Sequence, residues 1–233
     1  MICLYCLKNY NMEVTWTTIF KPGRKGLCSE CCSNLEPIRE ETCEKCGREY
    51  DEQWFDNKHI CTDCVAWENH PNYKEVKIKN TSIYKYNNFA KEFVAKWKYR
   101  GDYELIYAFS DEIKKTYKSK YKKVDYIITI PLSTERSYER GFNQSEAIAK
   151  IMDQKKTLKV LKKNETNKQS KKKKLERIHS ENPFIMTGVK STIDKKVLIV
   201  DDIYTTGTTM YQISKILYEA GASEISTFAL FRG

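Results

Sequence analysis

Two acids and a threonine-rich turn stand side by side in the last part of the chain. Asp201 and Asp202 follow the apolar run Val197–Val200. The turn after them contains one glycine and four threonines: Thr205, Thr206, Gly207, Thr208 and Thr209. Paired carboxylates can accept hydrogen bonds from two ribose hydroxyls, and a glycine-containing turn that opens a helix presents backbone N–H groups to a phosphate. These residue types in this order predict a binding site for a sugar 5′-phosphate.

Eight of the nine cysteines form Cys-x-x-Cys pairs. The pairs are Cys3/Cys6, Cys28/Cys31, Cys43/Cys46 and Cys61/Cys64. Two such pairs complete a tetrahedral shell of four sulfurs, and a closed shell of this kind is typical of structural zinc, so we predict two zinc ions. Sequential pairing of the four motifs is the simplest assignment, and a crossed pairing is the alternative. Cys32 is left over as a spare thiol.

The cysteines also mark a boundary, because none follows Cys64. We expect a small zinc-ribbon-like module over residues 1–70 and a second domain over residues 71–233. Six residues of the first stretch could stack on bases and meet phosphates, or could pack a small core: Trp16, Phe20, Arg24, Lys25, Trp54 and Trp67.

Charge and hydropathy limit the class of protein. The formal net charge of +10 favours anionic partners such as nucleic acid, phosphates or an anionic membrane surface. No apolar window approaches the roughly 18 residues of a transmembrane helix, and no secretory signal is visible. We therefore expect a cytoplasmic protein, whose thiols stay reduced.

Strand and helix patterns alternate in the second domain, which predicts an α/β fold with a mostly parallel, helix-covered sheet. The strand patterns are Ser82–Tyr86, Val124–Ile130, Val197–Val200 and Ile225–Phe231. The helical patterns are Phe89–Trp97, Leu105–Ile113, Glu146–Met152 and Thr208–Ala220, the last capped by Gly221. Lys155–Lys174 reads as a lysine-rich stretch of low complexity. Ligands of such folds bind beyond the carboxyl ends of the strands, where the acid pair stands.

The segment Val197–Thr209 resembles the motif that binds phosphoribosyl pyrophosphate (PRPP) in type I phosphoribosyltransferases. The resemblance implies that Asp201 and Asp202 hold the ribose hydroxyls and that Thr205–Thr209 surround the 5′-phosphate. It also implies Mg²⁺, bound together with PRPP and bridging the pyrophosphate to the sugar.

A second resemblance extends almost from end to end. The Cys-x-x-Cys pairs, the run Ile130-Pro131-Leu132, and the run Arg140-Gly141-Phe142-Asn143-Gln144 together resemble the ComF (ComFC-type) competence family. Family membership implies a role in the uptake of single-stranded DNA, with a translocation motor and other competence proteins as partners, at the inner face of the membrane. By analogy with the fold, Pro131 and Leu132 would face the pyrophosphate.

Basic side chains add two expectations about anions. Arg136 and Arg140 are candidate phosphate contacts, with surface salt bridges as the alternative. The lysine-rich stretch predicts a nucleic-acid contact, with a solvated loop as the alternative. Its candidate residues are Lys168, Lys171, Lys172, Lys173, Lys174 and Arg177.

Three functions fit these motifs. We favour a DNA-uptake factor that binds PRPP or a phosphorylated DNA end. The alternatives are an active phosphoribosyltransferase, in which Asp201 and Asp202 would be catalytic, and a PRPP-responsive regulator. No base-recognition hood is visible after Phe231, and the zinc module is the candidate for that cover.

Overall fold

The computed structural model describes residues 1–11, 26–39, 41–55, 59–164, 182–187 and 194–233. Its strands are β1 (Lys79–Lys85), β2 (Tyr126–Thr129), β3 (Thr157–Leu158), β4 (Leu161–Lys163), β5 (Phe184–Met186), β6 (Lys196–Tyr204) and β7 (Glu224–Arg232). Five strands form one sheet in the order β1-β7-β6-β2-β3, and every neighbouring pair is parallel. Strands β4 and β5 form a small antiparallel pair. The predicted α/β fold with a parallel sheet is confirmed.

Helices connect the strands of the sheet, as parallel pairing requires, and two further helices precede β1. They are α1 (Ser29–Ser33), α2 (Thr62–Glu68), α3 (Asn88–Tyr99), α4 (Ser110–Thr116), α5 (Thr134–Arg140), α6 (Gln144–Asp153) and α7 (Thr208–Glu219). Short 3₁₀ segments occupy Glu52–Trp54, Tyr103–Phe109 and Gln154–Lys156, and a π-helical turn occupies Tyr117–Tyr121. Asn87 caps α3 by accepting a hydrogen bond from the Ala90 amide. None of the described helices is long and apolar enough to cross a membrane.

The two faces of the sheet carry separate hydrophobic cores. Successive strand residues point to opposite faces, so Leu198 and Val200 belong to one core, while Val197 and Ile199 belong to the other. Both sets are fully buried, which explains why β6 begins with a continuous apolar run rather than an alternating one.

Each core also contains cysteines from the first part of the chain. Cys3, Cys28 and Cys31 belong to the core that includes Leu198. The pairs Cys43/Cys46 and Cys61/Cys64 belong to the core that includes Val197. Residues before and after position 70 therefore pack into shared cores on both faces of the sheet, and the domain boundary at that position stays a prediction.

Two segments differ from the sequence expectation. Strand β6 continues past Val200 to Tyr204, where it still pairs with β7, so the acid pair lies inside a strand and not after its end. Strand β2 ends opposite Val200, however, so the acids extend beyond the edge of that neighbour. The start of the lysine-rich stretch is not featureless either, because burial of Val160 and Leu161 anchors β4 to the core.

Candidate phosphosugar site and metal centres

The eight paired cysteines assemble into two groups of four. One group is Cys3, Cys6, Cys28 and Cys31, and the other is Cys43, Cys46, Cys61 and Cys64. The sulfurs of each group lie within 4.8 Å of one another. The pairing is sequential and not crossed.

The sulfur spacing fits zinc. Tetrahedral zinc with bonds of about 2.3 Å places its sulfurs about 3.8 Å apart. The Sγ atoms of Cys6 and Cys28 are 3.7 Å apart, and those of Cys46 and Cys61 are 3.5 Å apart. Burial raises the pKa of the Cys3 thiol, but hydrogen bonds from nearby backbone amides outweigh it and lower the pKa to about 6. A thiolate is the form that binds a metal.

Both groups are built on the same local turn. The amide of Leu7 donates to the Cys3 carbonyl, and the amide of Gly47 donates to the Cys43 carbonyl, each at 2.9 Å. Both donor residues have positive φ, 62° at Leu7 and 66° at Gly47. Glycine adopts this conformation without the cost that a Cβ atom adds, whereas Leu7 carries that cost.

The phosphate loop, defined as Thr205–Thr209, connects β6 to α7 and includes the first two residues of that helix. Gly207 has φ of 82° at the N-cap of α7, where no side chain caps the helix. The exposed N–H groups of such a helix start, together with its dipole, favour an anion. A Cβ at Gly207 would overlap the Tyr204 hydroxyl, so the position requires glycine for two reasons. The loop and the end of β6 enclose a cavity of about 150 Å³.

The two acids occupy different environments. Asp202 is only 6% exposed and forms an ion pair with Lys98 of α3. Asp201 is half-buried and lines the cavity beside the phosphate loop. Desolvation, followed by the neighbouring Asp202 carboxylate, raises the pKa of Asp201 well above its ordinary value of 3.8. A hydroxyl-bearing or cationic ligand would relieve this cost.

The end of β2 is fixed to β6 by residues at the start of α6. The Ser145 hydroxyl accepts a hydrogen bond from the Ile130 amide at 2.9 Å and donates to the Val200 carbonyl at 2.5 Å. Asn143 caps α6 and also donates to the Ile130 carbonyl at 2.8 Å. These bonds hold the loop that begins with Pro131 close to the acid pair.

The two arginines of α5 differ in exposure. Arg136 is exposed, whereas Arg140 is half-buried and donates to the Gln144 side chain at 2.9 Å. Neither guanidinium forms an ion pair with a carboxylate of the described residues. The salt-bridge alternative is therefore not supported in that part of the chain, and Arg136 and Arg140 stay candidates for anion contacts.

Sequence reasoning missed a link between the second cysteine group and the phosphate loop. The guanidinium of Arg232 donates to the carbonyl and Sγ of Cys46, each at 3.1 Å, and to the Thr205 carbonyl at 2.9 Å. Trp67 Nε1 donates to the Thr206 carbonyl at 2.8 Å. Trp67 is 2% exposed, which rules out the base-stacking alternative for that residue. A lone arginine at the end of the apolar strand β7 was the available signal.

The predicted nucleic-acid residues fall outside the described ranges, as do Trp16, Phe20, Arg24 and Lys25. The nucleic-acid candidates concerned are Lys168, Lys171, Lys172, Lys173, Lys174 and Arg177. Their segment departs from β4 and returns at β5, whose residues Lys163 and Phe184 pair. Desolvation and the charge of Arg136 lower the pKa of Lys163, whereas Asp201 raises it. The base of the lysine-rich segment therefore lies near the acid pair.

The cysteine groups predict the metal content of single variants. Cys64→Ala removes one of four ligands from the second group, so elemental analysis should fall from two zinc ions per chain to one. Cys32→Ala is the matched control, because Cys32 belongs to neither group, and it should keep two. Equal zinc content in the two variants would refute the assignment.

Asp201→Asn should stabilise the fold while weakening ligand binding. A carboxyl with a raised folded pKa loses stability as the pH rises above 3.8, because the folded state then resists ionisation. At pH 7 the Asn variant should melt several degrees higher, since 1 kcal/mol shifts Tm by about 2–4 °C at this size. In calorimetry, this increase in Tm should become smaller toward pH 4. An unchanged Tm at pH 7 would contradict a raised pKa of Asp201 in the folded protein.

Known competence proteins are similar to this chain over almost its whole length. The profile of the phosphoribosyl transferase domain matches residues 138–233. Competence protein ComFC of Bacillus subtilis is 36% identical over 100% of this chain and 95% of its own. Competence protein ComFC of Streptococcus pneumoniae is 36% identical over the full length of both chains. Competence protein F of Haemophilus influenzae is 26% identical over 99% of this chain and 96% of its own.

The solved structure of an allosteric regulatory enzyme of purine biosynthesis aligns with 51% of this chain and 24% of its own, at 20% identity and a TM-score of 0.34. That similarity is too low to support any functional statement. The full-length matches at 36% identity, together with the phosphoribosyl transferase domain and the two cysteine groups, agree with the resemblance seen in the sequence. The chain belongs to the ComFC family of competence proteins.

Proposed function

We propose that this competence protein binds PRPP, or another sugar 5′-phosphate, at the phosphate loop and contacts single-stranded DNA during uptake into the cytoplasm. The observation that carries the proposal is the cavity of about 150 Å³ that Asp201 lines together with the start of α7. A cavity of this size suits a phosphate group and part of a ribose. The proposal places the chain at the inner face of the membrane, beside a translocation motor and other competence proteins.

The phosphate loop supplies neutral donors for the 5′-phosphate. The hydroxyls of Thr206 and Thr208 are 2.8 Å apart and lie in the same turn as Gly207. Hydroxyl and backbone N–H donors at a helix start bind an anion without burying a counter-charge.

The acid pair would hold the ribose. Asp201 lines the cavity, whereas Asp202 is engaged by Lys98, so Asp201 is the better placed of the two to accept from sugar hydroxyls. Carboxylate oxygens are also hard ligands of the type that Mg²⁺ prefers. Mg²⁺ bound with PRPP would neutralise pyrophosphate charge, and the loop after Ile130 with Arg136 and Arg140 would face that group.

Contact with DNA is supported by charge. The chain carries 41 basic and 31 acidic residues, and the lysine-rich segment departs from strands whose base lies near the acid pair. A basic segment beside a phosphosugar site could hold the backbone of a strand whose 5′ end occupies the loop.

An active phosphoribosyltransferase is the second candidate, favoured by the position of Asp201 within the cavity. A carboxylate beside the sugar can stabilise the positive charge that develops on the ring when pyrophosphate leaves. Pyrophosphate release from PRPP across a panel of bases, run beside a single-stranded DNA binding assay, separates this function from the first.

Gly207→Ala should abolish binding of PRPP in titration calorimetry. The added Cβ overlaps the Tyr204 hydroxyl and strains a residue at positive φ, so the phosphate loop must move. Gly101→Ala is the matched control, because Gly101 also has positive φ but faces open space. Both variants carry the same backbone cost, about 1–2 kcal/mol, and only the loop variant should lose the ligand. Undiminished affinity in the Gly207 variant refutes the phosphate loop.

Neutralising Lys171–Lys174 to glutamine should weaken binding of single-stranded DNA and flatten its dependence on salt, because fewer counterions are released. The matched control replaces four exposed lysines elsewhere by glutamine: Lys114, Lys115, Lys118 and Lys120. Both variants lose the same net charge. Fluorescence anisotropy at several salt concentrations should separate them, and parallel salt slopes for both variants and the parent exclude the lysine-rich segment as a contact.

A further inference from the structure

A second, larger cleft opens beside the phosphate loop. Its volume is about 570 Å³, and Thr205 and Thr206 belong to its lining as well as to that of the smaller cavity. The two spaces therefore adjoin each other at these residues of the loop. A cavity of several hundred Å³ is in the range that holds small organic ligands and far exceeds what a phosphate needs.

The second cysteine group supplies one aromatic wall of this cleft. Tyr50 and Trp54 come from the segment between Cys46 and Cys61, and Tyr86, which follows β1, lines the same cleft. Tyr50 packs against Phe55 with ring centres 5.0 Å apart. Aromatic rings with fixed positions form platforms on which a planar heterocycle can stack.

Trp54 is held in place by neighbouring side chains. The Arg48 guanidinium lies 4.4 Å from the centre of the Trp54 ring and is fixed by Asp63 at 2.6 Å. Asp51 caps the short 3₁₀ turn that carries Trp54 by accepting from the Gln53 amide at 2.9 Å. The ring is thus oriented before any ligand arrives, which lowers the entropy lost on binding.

Polar groups around the cleft include both donors and acceptors. Lys85 and Glu49 form an ion pair, and the Asn87 amide donates to the Glu36 carboxylate at 2.8 Å. Arg48 Nε is buried and has no hydrogen-bond partner among the described residues. The edge of a nucleobase carries donors and acceptors side by side, which such a mixed rim matches.

The strand order places this cleft on a definite side of the phosphate loop. Strands β7 and β1 lie on one side of β6, and β2 lies on the other. The loop that follows β2 is the candidate for pyrophosphate, and the cleft lies at the ends of β1 and β7. A ligand with its 5′-phosphate in the phosphate loop can therefore extend toward the aromatic wall.

We propose that this cleft binds the nucleobase of a 5′-nucleotide, stacked against Trp54 and Tyr86, while its phosphate occupies the phosphate loop. The inference rests on the proposed function, since the loop anchors the ligand. It assigns the base-binding wall to the segment between two zinc-ligand pairs.

Calorimetric titration with adenosine 5′-monophosphate and with ribose 5-phosphate tests the proposal on the full chain. The wild type should bind the nucleotide about 5- to 100-fold more tightly than the sugar phosphate, the range that base stacking gives. Trp54→Ala should lose this extra affinity for the nucleotide, and its affinity for ribose 5-phosphate should equal that of the wild type. Trp54→Phe should keep most of the extra affinity, and Tyr86→Leu should reduce it independently.

Tyr218→Ala is the control, because Tyr218 is 48% exposed on α7 and does not line the cleft. Equal affinity of the wild type for the two probes, or a full nucleotide gain in Trp54→Ala and Tyr86→Leu, overturns the base site and leaves the phosphate loop standing. Failure of the wild type to bind either probe overturns the proposed function together with this inference.

Discussion

The buried guanidinium of Arg232 joins the parts on which the site depends. It bonds to the backbone and sulfur of Cys46 and to the carbonyl of Thr205, so one side chain connects a metal ligand with the phosphate loop. A charged group at 5% exposure is tolerated only when every direction offers a partner. The sulfur of Cys46, which would be a thiolate when zinc is bound, is one such partner, and the carbonyls at the end of β6 are others. The loop therefore depends on the integrity of the second cysteine group, although it contributes no metal ligand.

The cysteine groups act as extensions of the α/β core. Each group shares a hydrophobic core with one face of the sheet, so the metal shells and the apolar packing support each other. The second group stands nearer the phosphate loop, and its four ligands are almost completely buried, whereas Cys6 of the first group is half-buried. The second group is also the one whose intervening segment lines the larger cleft, through Arg48, Tyr50 and Trp54.

Features that depend on consecutive residues could be predicted from the sequence, whereas contacts between distant segments could not. The Cys-x-x-Cys motifs and the turn around Gly207 each consist of consecutive residues, so their local structures could be inferred directly from the sequence. Lys98, Ser145 and Arg232 act on the site from other elements, and their contacts with it form only once the chain has folded. The motif gives Asp201 and Asp202 the same role, although neighbouring strand residues must face opposite sides. That periodicity alone could have separated a lysine-paired acid from one that lines a cavity.

The pairing of β1 with β7 affects how the protein can fold during its synthesis on the ribosome. Strand β1 follows the cysteines closely, yet its partner β7 is the last strand of the sheet. All eight metal-binding thiols therefore leave the exit tunnel long before Arg232 is translated. Metal can bind before the sheet closes, because all eight cysteine ligands are available before Arg232 can contact Cys46. The nascent chain would then carry its zinc into the final step of assembly, in which β7 inserts between β1 and β6.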